Sequence, residues 1–394
     1  MSSAYVYEAV RTPFGRYGGA LSGVRPDDLA AEVFKTLQQR VPGLDPAQID
    51  DVIYGTANGS GEDNRDVARM AVLLAGWPTA VPGATVNRLC GSSLEAAIQG
   101  SRAIETGDAA IVVVGGGEAM SRSPWILQKP SRAFPAANET LYSSALGWRM
   151  VNPKMPAQWT ISLGESTEKL VQMHGITREQ QDEFALRSHQ LAARAYAEDA
   201  LGEVVPVPGI ELTQDESIRA DTSLEKLAQL KPAFVEGGTV TAGNSSPLND
   251  GAAAVLLADE ASAGRAGLNR APLARIVSRA AHGVDPDVFG IGPVQAANTA
   301  LTKAGLAWDQ IDVVELNEAF AGQSLACLAS WPELDPEKVN QRGGAIAIGH
   351  PLGASGARVL GRVAHELHGR GGGYGLAAIC IGVGQGLAVV LEGC

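Results

Sequence analysis

Cysteine is scarce in this chain of 394 residues, which contains Cys90, Cys327, Cys380 and Cys394. Four thiols spread over that length do not suggest a disulfide framework. Paired Cys-x-x-Cys and His-x-x-x-His spacings are also missing from the sequence, so we predict that the protein has no metal site.

Long hydrophobic runs and positive charge are lacking as well. No stretch of about 18 uninterrupted apolar residues occurs, so we predict no membrane contact. Neither end of the sequence resembles a targeting signal, and we therefore expect a cytoplasmic protein. The formal net charge of −12 argues against nucleic-acid binding and requires any anionic substrate to be held by a local basic patch.

Two segments of the sequence occur twice. Residues 44–54 (LDPAQIDDVIY) are echoed by residues 306–316 (LAWDQIDVVEL), and the apolar residues 109–117 are echoed by residues 377–384. Both echoes come in the same order at similar separation. They predict an α/β protein made of two copies of one unit, in which buried strands alternate with helices.

The stretch between the two copies has a different composition, with more Pro, Gln, Glu, Lys and Trp. It includes a predicted long helix from Arg178 to Glu198. We predict an N-terminal half from residues 1–120 and 251–272, an inserted loop domain from residues 121–250, and a C-terminal half from residues 273–394.

Four short segments carry reactive side chains. Residues 86–93 read VNRLCGSS, residues 317–320 read NEAF, residues 343–356 read GGAIAIGHPLGASG, and residues 380–386 read CIGVGQG. Cys90 precedes a predicted helix, whose N-terminal dipole favours a thiolate. At an unperturbed pKa of about 8.5 little thiolate is present at neutral pH, so a neighbouring base is useful, and His350 is the candidate.

In their order and wording, these four segments resemble the thiolase family, the acyl-CoA C-acyltransferases. The resemblance runs nearly end to end and implies a five-layer αβαβα core with an inserted loop domain. It implies that Cys90 is the nucleophile, that His350 activates it, and that Cys380 exchanges a proton at the carbon alpha to the thioester. By the same resemblance, Asn317 holds a water in a first oxyanion hole, and the backbone N–H groups of Cys90 and Gly382 form a second.

Cys327 and Cys394 match no motif position, and we predict a core thiol on a helix and an exposed tail thiol, respectively. Glu318 follows Asn317 directly and could be an acid catalyst. We favour a role for it in orienting the loop.

The resemblance also implies which residues bind coenzyme A, as a co-substrate and without any tightly bound cofactor. These residues are Arg219 near the adenine, Ala242 and Ser246 at the pantetheine, and Phe234 and Phe320 as walls around the thioester. Lys226 stands where short-chain members commonly carry Ser, so it is either a CoA contact or an ordinary solvated lysine.

Several positions depart from the short-chain biosynthetic members, namely residues 162–164 (SLG), Pro247 and Phe289. Residues 11–21 and 61–69 resemble the thiolases that act on β-ketoadipyl-CoA in bacterial aromatic breakdown. We predict a degradative 3-oxoacyl-CoA thiolase that forms a homodimer or homotetramer. The alternatives are acetoacetyl-CoA synthesis and, in another class, a non-catalytic acyl-CoA-binding scaffold subunit.

Overall fold

The computed structural model describes residues 2–268 and 270–394. Its β-strands are Tyr5–Arg11 (β1), Gly15–Arg16 (β2), Asp51–Gly55 (β3), Ala84–Val86 (β4), Ile111–Ala119 (β5), Trp125–Leu127 (β6), Leu141–Ser143 (β7), Asn249–Ala258 (β8), Ala274–Gly283 (β9), Val313–Leu316 (β10), Tyr374–Ile381 (β11) and Gln385–Gly393 (β12). Its α-helices are Pro26–Arg40 (α1), Val67–Leu74 (α2), Ser92–Thr106 (α3), Leu163–His174 (α4), Arg178–Ala197 (α5), Leu224–Ala228 (α6), Glu260–Arg265 (α7), Gly292–Ala304 (α8), Ala321–Ala329 (α9), Ala345–Ile348 (α10) and Leu352–Arg370 (α11). Short 3₁₀ helices are Pro46–Gln48, Met120–Arg122, Ala157–Trp159, Pro286–Ile291, Trp308–Gln310 and Pro336–Lys338.

The main sheet is built from two similar halves. Its strand order is β10-β11-β12-β9-β1-β8-β5-β3-β4, with β2 paired to β8. The halves meet where β1 pairs with β9 through only two residue pairs, Tyr5 with Arg275 and Val6 with Ala274.

Pairing within the two halves repeats strand by strand. In the first, β3 is parallel to β5, which is antiparallel to β8, which is antiparallel to β1. In the second, β10 is parallel to β11, which is antiparallel to β12, which is antiparallel to β9. Both members of the first sequence echo form a 3₁₀ turn followed by a strand, before β3 and before β10. The predicted duplication is confirmed.

Three separate hydrophobic clusters show how the layers stack. One contains residues of α3 and α11 together with strands of both halves, so these two helices form a middle layer. A second joins α1 and α2 to the outer face of the first half, and a third joins α8 to the outer face of the second. The resulting α-β-α-β-α order confirms the predicted five-layer core.

Residues 121–250 cover the edge of this core near the strand ends. They form a small sheet of β6 and β7, the helices α4, α5 and α6, and long connecting loops before β8 begins. The predicted long helix is α5, which Thr177 and Gln180 start with a reciprocal capping box. The boundaries of the three predicted domains stay a prediction.

A buried charge network fastens this covering segment to both halves. The guanidinium of Arg11 donates two hydrogen bonds to Asp215, of 2.6 and 2.9 Å, and Arg11 also lies 3.6 Å from Glu203. Glu203 in turn pairs with Arg362 of α11. Within the described part of the chain, no helix has the length and apolar character needed to cross a membrane.

Candidate active site

A largely apolar cavity of about 330 Å³ opens where strands of both halves end. Cys90, His350 and Gly382 all line it, although they come from three of the four motif segments. Cys90 precedes α3, His350 lies between α10 and α11, and Gly382 follows β11. The carboxyl ends of parallel strands commonly form ligand sites in open α/β sheets, and here the two halves contribute to one site.

Cys90 sits in a tight turn. Leu89, directly before it, has φ +48°, a left-handed value that is uncommon for a residue other than glycine. The backbone N–H of Gly382 donates to the Cys90 thiol, which favours the thiolate, but burial is the larger effect and raises the pKa of Cys90 to about 11. The local N–H groups thus favour the thiolate as predicted, but desolvation outweighs them, so a neighbouring base is still needed.

His350 is fixed from several sides. Its backbone N–H donates to Asn249 Oδ1 at 2.9 Å, and its Nδ1 lies 2.6 Å from Ser355 Oγ. Gly349, with φ +108°, permits this approach, since a Cβ there would lie 2.5 Å from the Asn249 side chain. Burial, with a smaller contribution from the charge of Arg358, lowers the pKa of His350 to about 3, so the imidazole is neutral.

The tautomer of His350 follows from its neighbours. Ser355 Oγ lies 3.1 Å from the Pro351 carbonyl oxygen and donates to it, so the hydroxyl can only accept from the ring. The proton of the neutral ring is thus assigned to Nδ1. Nε2 keeps a lone pair, and Asn317 Nδ2 lies 3.5 Å from it.

Cys380 lies behind the cavity wall, at the end of β11. It packs in a small cluster with Val240, Phe289, Ala319 and Phe320 and is almost fully buried. Burial raises the pKa of Cys380 well above its usual range, and negative charge on Cys90 would raise it further. Its neighbours Phe289, Ala319 and Phe320 also line the cavity, so Cys380 lies directly behind the wall of the space that contains Cys90.

A buried acid that the sequence analysis missed lies beside the nucleophile. Glu118, at the end of β5, accepts backbone N–H groups of Ala57, Asn58 and Gly353 at 2.9 to 3.1 Å. Burial raises its pKa to about 7, and its charge adds to the raised pKa of Cys90.

A second cavity, of about 460 Å³, shares Ser245 and Pro247 with the first. Arg219, Lys226 and Ala242 line it, whereas Phe234, Ser246 and Phe320 line the first. The six predicted CoA-binding residues are therefore distributed along two adjoining spaces.

The two predicted cations differ in their surroundings. Lys226 Nζ lies 2.7 Å from Asp221 Oδ2, and both side chains are mostly exposed. Arg219 lies beside buried His189, whose ring accepts the Arg219 backbone N–H at 3.2 Å. Burial, with a smaller contribution from the Arg219 charge, lowers the pKa of His189 to about 4.

The positions that depart from the short-chain pattern all line the first cavity, namely Ser162, Leu163, Pro247 and Phe289. The ring of Phe320 makes edge contacts with Phe234 and Phe289, at centroid distances of 5.8 and 6.4 Å. These substitutions thus alter the walls around the reacting groups.

The remaining predicted residues take structural places. Cys327 is buried on α9 and Cys394 is exposed, as predicted. Glu318 accepts hydrogen bonds from Ser188 Oγ at 2.6 Å and Asn340 Nδ2 at 2.8 Å, and from the Ile346 backbone at 3.2 Å. These contacts suit a residue that holds the loop.

Both halves of the chain match models of one protein family. The family model "Thiolase, N-terminal domain" matches residues 4–261, and "Thiolase, C-terminal domain" matches residues 270–393. Together they account for most of the chain, which belongs to the thiolase family and is an acyltransferase.

Relatives and solved structures agree over full length. The chain is 50% identical to a β-ketoadipyl-CoA thiolase of Escherichia coli, with 100% of each chain covered. Acetyl-CoA acetyltransferase of Bacillus anthracis superposes with a TM-score of 0.92 at 39% identity, covering 100% of this chain and 99% of that one. Human mitochondrial 3-ketoacyl-CoA thiolase in complex with CoA gives 0.93 at 38% identity, with 100% and 98% covered.

Proposed function

We propose that this chain cleaves 3-oxoacyl-CoA with CoA, giving acetyl-CoA and a shortened acyl-CoA through an acyl group on Cys90. The observation that carries the proposal is the meeting of a thiol, a neutral imidazole and the Gly382 N–H on one apolar cavity, with a second thiol directly behind it.

In the first step Cys90 attacks the 3-oxo carbon. Because burial keeps Cys90 protonated, its proton must leave as the sulfur–carbon bond forms, and the free Nε2 lone pair of His350 receives it. The new Nε2–H then donates a hydrogen bond to the oxygen of the attacked carbon, which gains negative charge. A water held by Asn317 donates to the same oxygen.

Cleavage of the carbon–carbon bond releases the enolate of acetyl-CoA, and the electron pair of the broken bond takes up a proton from Cys380. The shortened acyl group remains on Cys90 as a thioester. Its oxygen faces the N–H groups of Cys90 and Gly382, the proposed second oxyanion hole.

A second CoA completes the cycle. Its thiol gives its proton to the Cys380 thiolate and attacks the acyl group, and Cys90 leaves with the proton that His350 took up in the first step, so both groups return to their starting states. CoA acts here as a co-substrate, held by Arg219, Lys226, Ala242 and Ser246 along the two adjoining cavities.

We infer a degradative role on a 3-oxo dicarboxylic substrate such as β-ketoadipyl-CoA. The full-length relative of that name supports this, as do the altered cavity walls at Leu163, Pro247 and Phe289. Condensation of two acetyl-CoA molecules is a second candidate, because an acetyl-CoA acetyltransferase has almost the same fold.

CoA-dependent cleavage should be measured on acetoacetyl-CoA, medium and long 3-oxoacyl-CoAs and β-ketoadipyl-CoA, with Cys90→Ser as the control. Turnover that requires Cys90 and favours β-ketoadipyl-CoA is the expected result. Preference for acetoacetyl-CoA would support the biosynthetic candidate. Folded protein that binds CoA but cleaves nothing would indicate a binding subunit instead.

We also propose that the protein is a homodimer or homotetramer. Residues 125–151 present a concentration of exposed large apolar side chains, which a monomer seldom leaves in water. They are Trp125, Leu127, Phe134, Leu141, Leu146, Trp148, Met150 and Val151. Light scattering would test this, and a monomeric mass at micromolar concentration would contradict it.

A further inference from the structure

Arg149 is the single lysine or arginine among the described residues that line the Cys90 cavity. No aspartate or glutamate accompanies it in that lining, and His350 is neutral because burial lowers its pKa to about 3. An apolar cavity with one uncompensated cation favours an anionic group in its occupant.

The guanidinium is held in place without being neutralised. Arg149 Nη2 donates to Asn58 Oδ1 at 3.3 Å, and Asn58 Nδ2 donates to the Ala145 carbonyl oxygen at 3.2 Å. The backbone N–H of Asn58 is bound in turn by Glu118 at 3.1 Å. Within the described chain Arg149 forms no ion pair, so its other N–H groups stay available to a ligand.

CoA does not account for this cation. Arg219 and Lys226 lie in the adjoining cavity, beyond the shared residues Ser245 and Pro247, and suit the phosphate-bearing part of CoA. Arg149 belongs instead to the space that contains Cys90, Leu89 and Phe289. The pantetheine that passes Ser246 in this space carries no charge, so the acyl chain is the part of the substrate that can present an anion beside the nucleophile.

We propose that Arg149 binds a carboxylate at the far end of the acyl chain and thereby selects 3-oxoacyl-CoAs derived from dicarboxylic acids. The inference rests on the proposed function. After cleavage of such a substrate the acyl group on Cys90 still carries its carboxylate, so the same contact serves the acyl-enzyme. A planar guanidinium can bind that carboxylate through two parallel hydrogen bonds.

The test compares two substrates of equal carbon number, 3-oxoadipyl-CoA and uncharged 3-oxohexanoyl-CoA. In Arg149→Met we expect kcat/KM for 3-oxoadipyl-CoA to fall about 10- to 100-fold, the range for a lost charged hydrogen bond. The value for 3-oxohexanoyl-CoA should stay the same or rise. Arg149→Lys should restore part of the activity on 3-oxoadipyl-CoA. Lys154→Met removes an exposed charge from the same loop without touching the cavity and should change neither value.

The outcomes distinguish the role of Arg149 from the identity of the substrate. Equal losses of kcat/KM on both substrates would show a structural role for Arg149 and overturn the inference. A change in the oligomeric state of Arg149→Met would do the same. Absence of 3-oxoadipyl-CoA cleavage by the wild type would instead contradict the proposed substrate. In that case the affinities for adipyl-CoA and hexanoyl-CoA are measured in Cys90→Ala and in the double variant Cys90→Ala/Arg149→Met. The carboxylate contact predicts that Arg149→Met weakens binding of adipyl-CoA but not of hexanoyl-CoA. If each ligand bound both variants equally well, the inference would be overturned.

Discussion

The side-chain nitrogen of Asn317 lies 3.5 Å from Nε2 of His350, while the oxygen of the same amide is buried without a hydrogen-bond partner among the described residues. An unpaired buried oxygen costs about 1–3 kcal/mol, so it marks a site where a polar group of the substrate or solvent is expected to bind. The backbone N–H of Asn317 donates to the Ala378 carbonyl oxygen at 2.9 Å, on β11, the strand that also carries Cys380. One strand thus positions the amide and the second thiol.

Replacing Asn317 by Ala should slow the reaction without weakening CoA binding. We expect kcat to fall about 10²- to 10³-fold, equivalent to about 2.7–4 kcal/mol, because one group that supports the developing oxyanion is lost. The KM for CoA should change little, since the cavity that contains Arg219 is not altered. Steady-state kinetics with varied CoA measure both constants.

Asn298→Ala is the matched control, because Asn298 lies on α8 and does not line the cavity. Asn317→Asp keeps the shape of the side chain but removes the N–H donors, and it should be as slow as Asn317→Ala. Wild-type kcat in either Asn317 variant would contradict the oxyanion role.

Replacing the two buried thiols one at a time should distinguish the two half-reactions. Exchange of label between acyl-CoA and CoA needs an acyl group on Cys90 but breaks no carbon–carbon bond. We therefore expect Cys380→Ala to retain this exchange while losing 3-oxoacyl-CoA cleavage by at least about 10²-fold, the lower end for a lost proton-transfer group. Cys90→Ala should lose both.

Cys327→Ala provides the comparison, since Cys327 is also fully buried but donates to the Gly290 carbonyl oxygen rather than facing the substrate. It should keep both activities, with at most a loss of thermal stability. If Cys380→Ala cleaved 3-oxoacyl-CoA at the wild-type rate, another group would have to protonate the enolate.

The reactivity of Cys90 should depend on pH over an unusually alkaline range. Burial raises its pKa to about 11, so the thiolate fraction, and with it the alkylation rate, should rise roughly tenfold per pH unit from pH 7 to 10. The rate should level off near pH 11. Iodoacetamide labelling followed by mass spectrometry resolves Cys90 from the exposed Cys394. A plateau below about pH 8.5 would mean that the Gly382 N–H and the helix terminus outweigh burial.

Sequence reasoning located the reacting groups because short, glycine-rich segments encode them locally. Cys90, His350 and Gly382 each stand in a motif whose turn places the side chain or N–H on the same cavity. Such reasoning could not find Glu118 or Arg149, since their roles arise from contacts with Asn58, 60 and 91 residues away along the chain.

The raised pKa of Cys90 could not be predicted for a related reason. The dipole of a helix terminus is visible in the sequence, whereas burial depends on packing from both halves and from the inserted segment. The fold was easier to predict from the sequence, because the strand and turn patterns that occur twice at similar separation indicate the duplication directly.

Replacing Arg219 or Lys226 singly should show which of these two proposed CoA contacts contributes more to CoA binding. Lys226 is already paired with Asp221 at 2.7 Å, whereas Arg219 forms no ion pair within the described chain, so Arg219 has the larger net attraction for phosphate. We expect Arg219→Met to raise the KM for CoA about 10-fold with kcat unchanged, and Lys226→Met to raise it less than about 3-fold. Both effects should shrink as salt increases, because the side chains are exposed. A larger effect at Lys226 would show that Asp221 releases it when CoA binds.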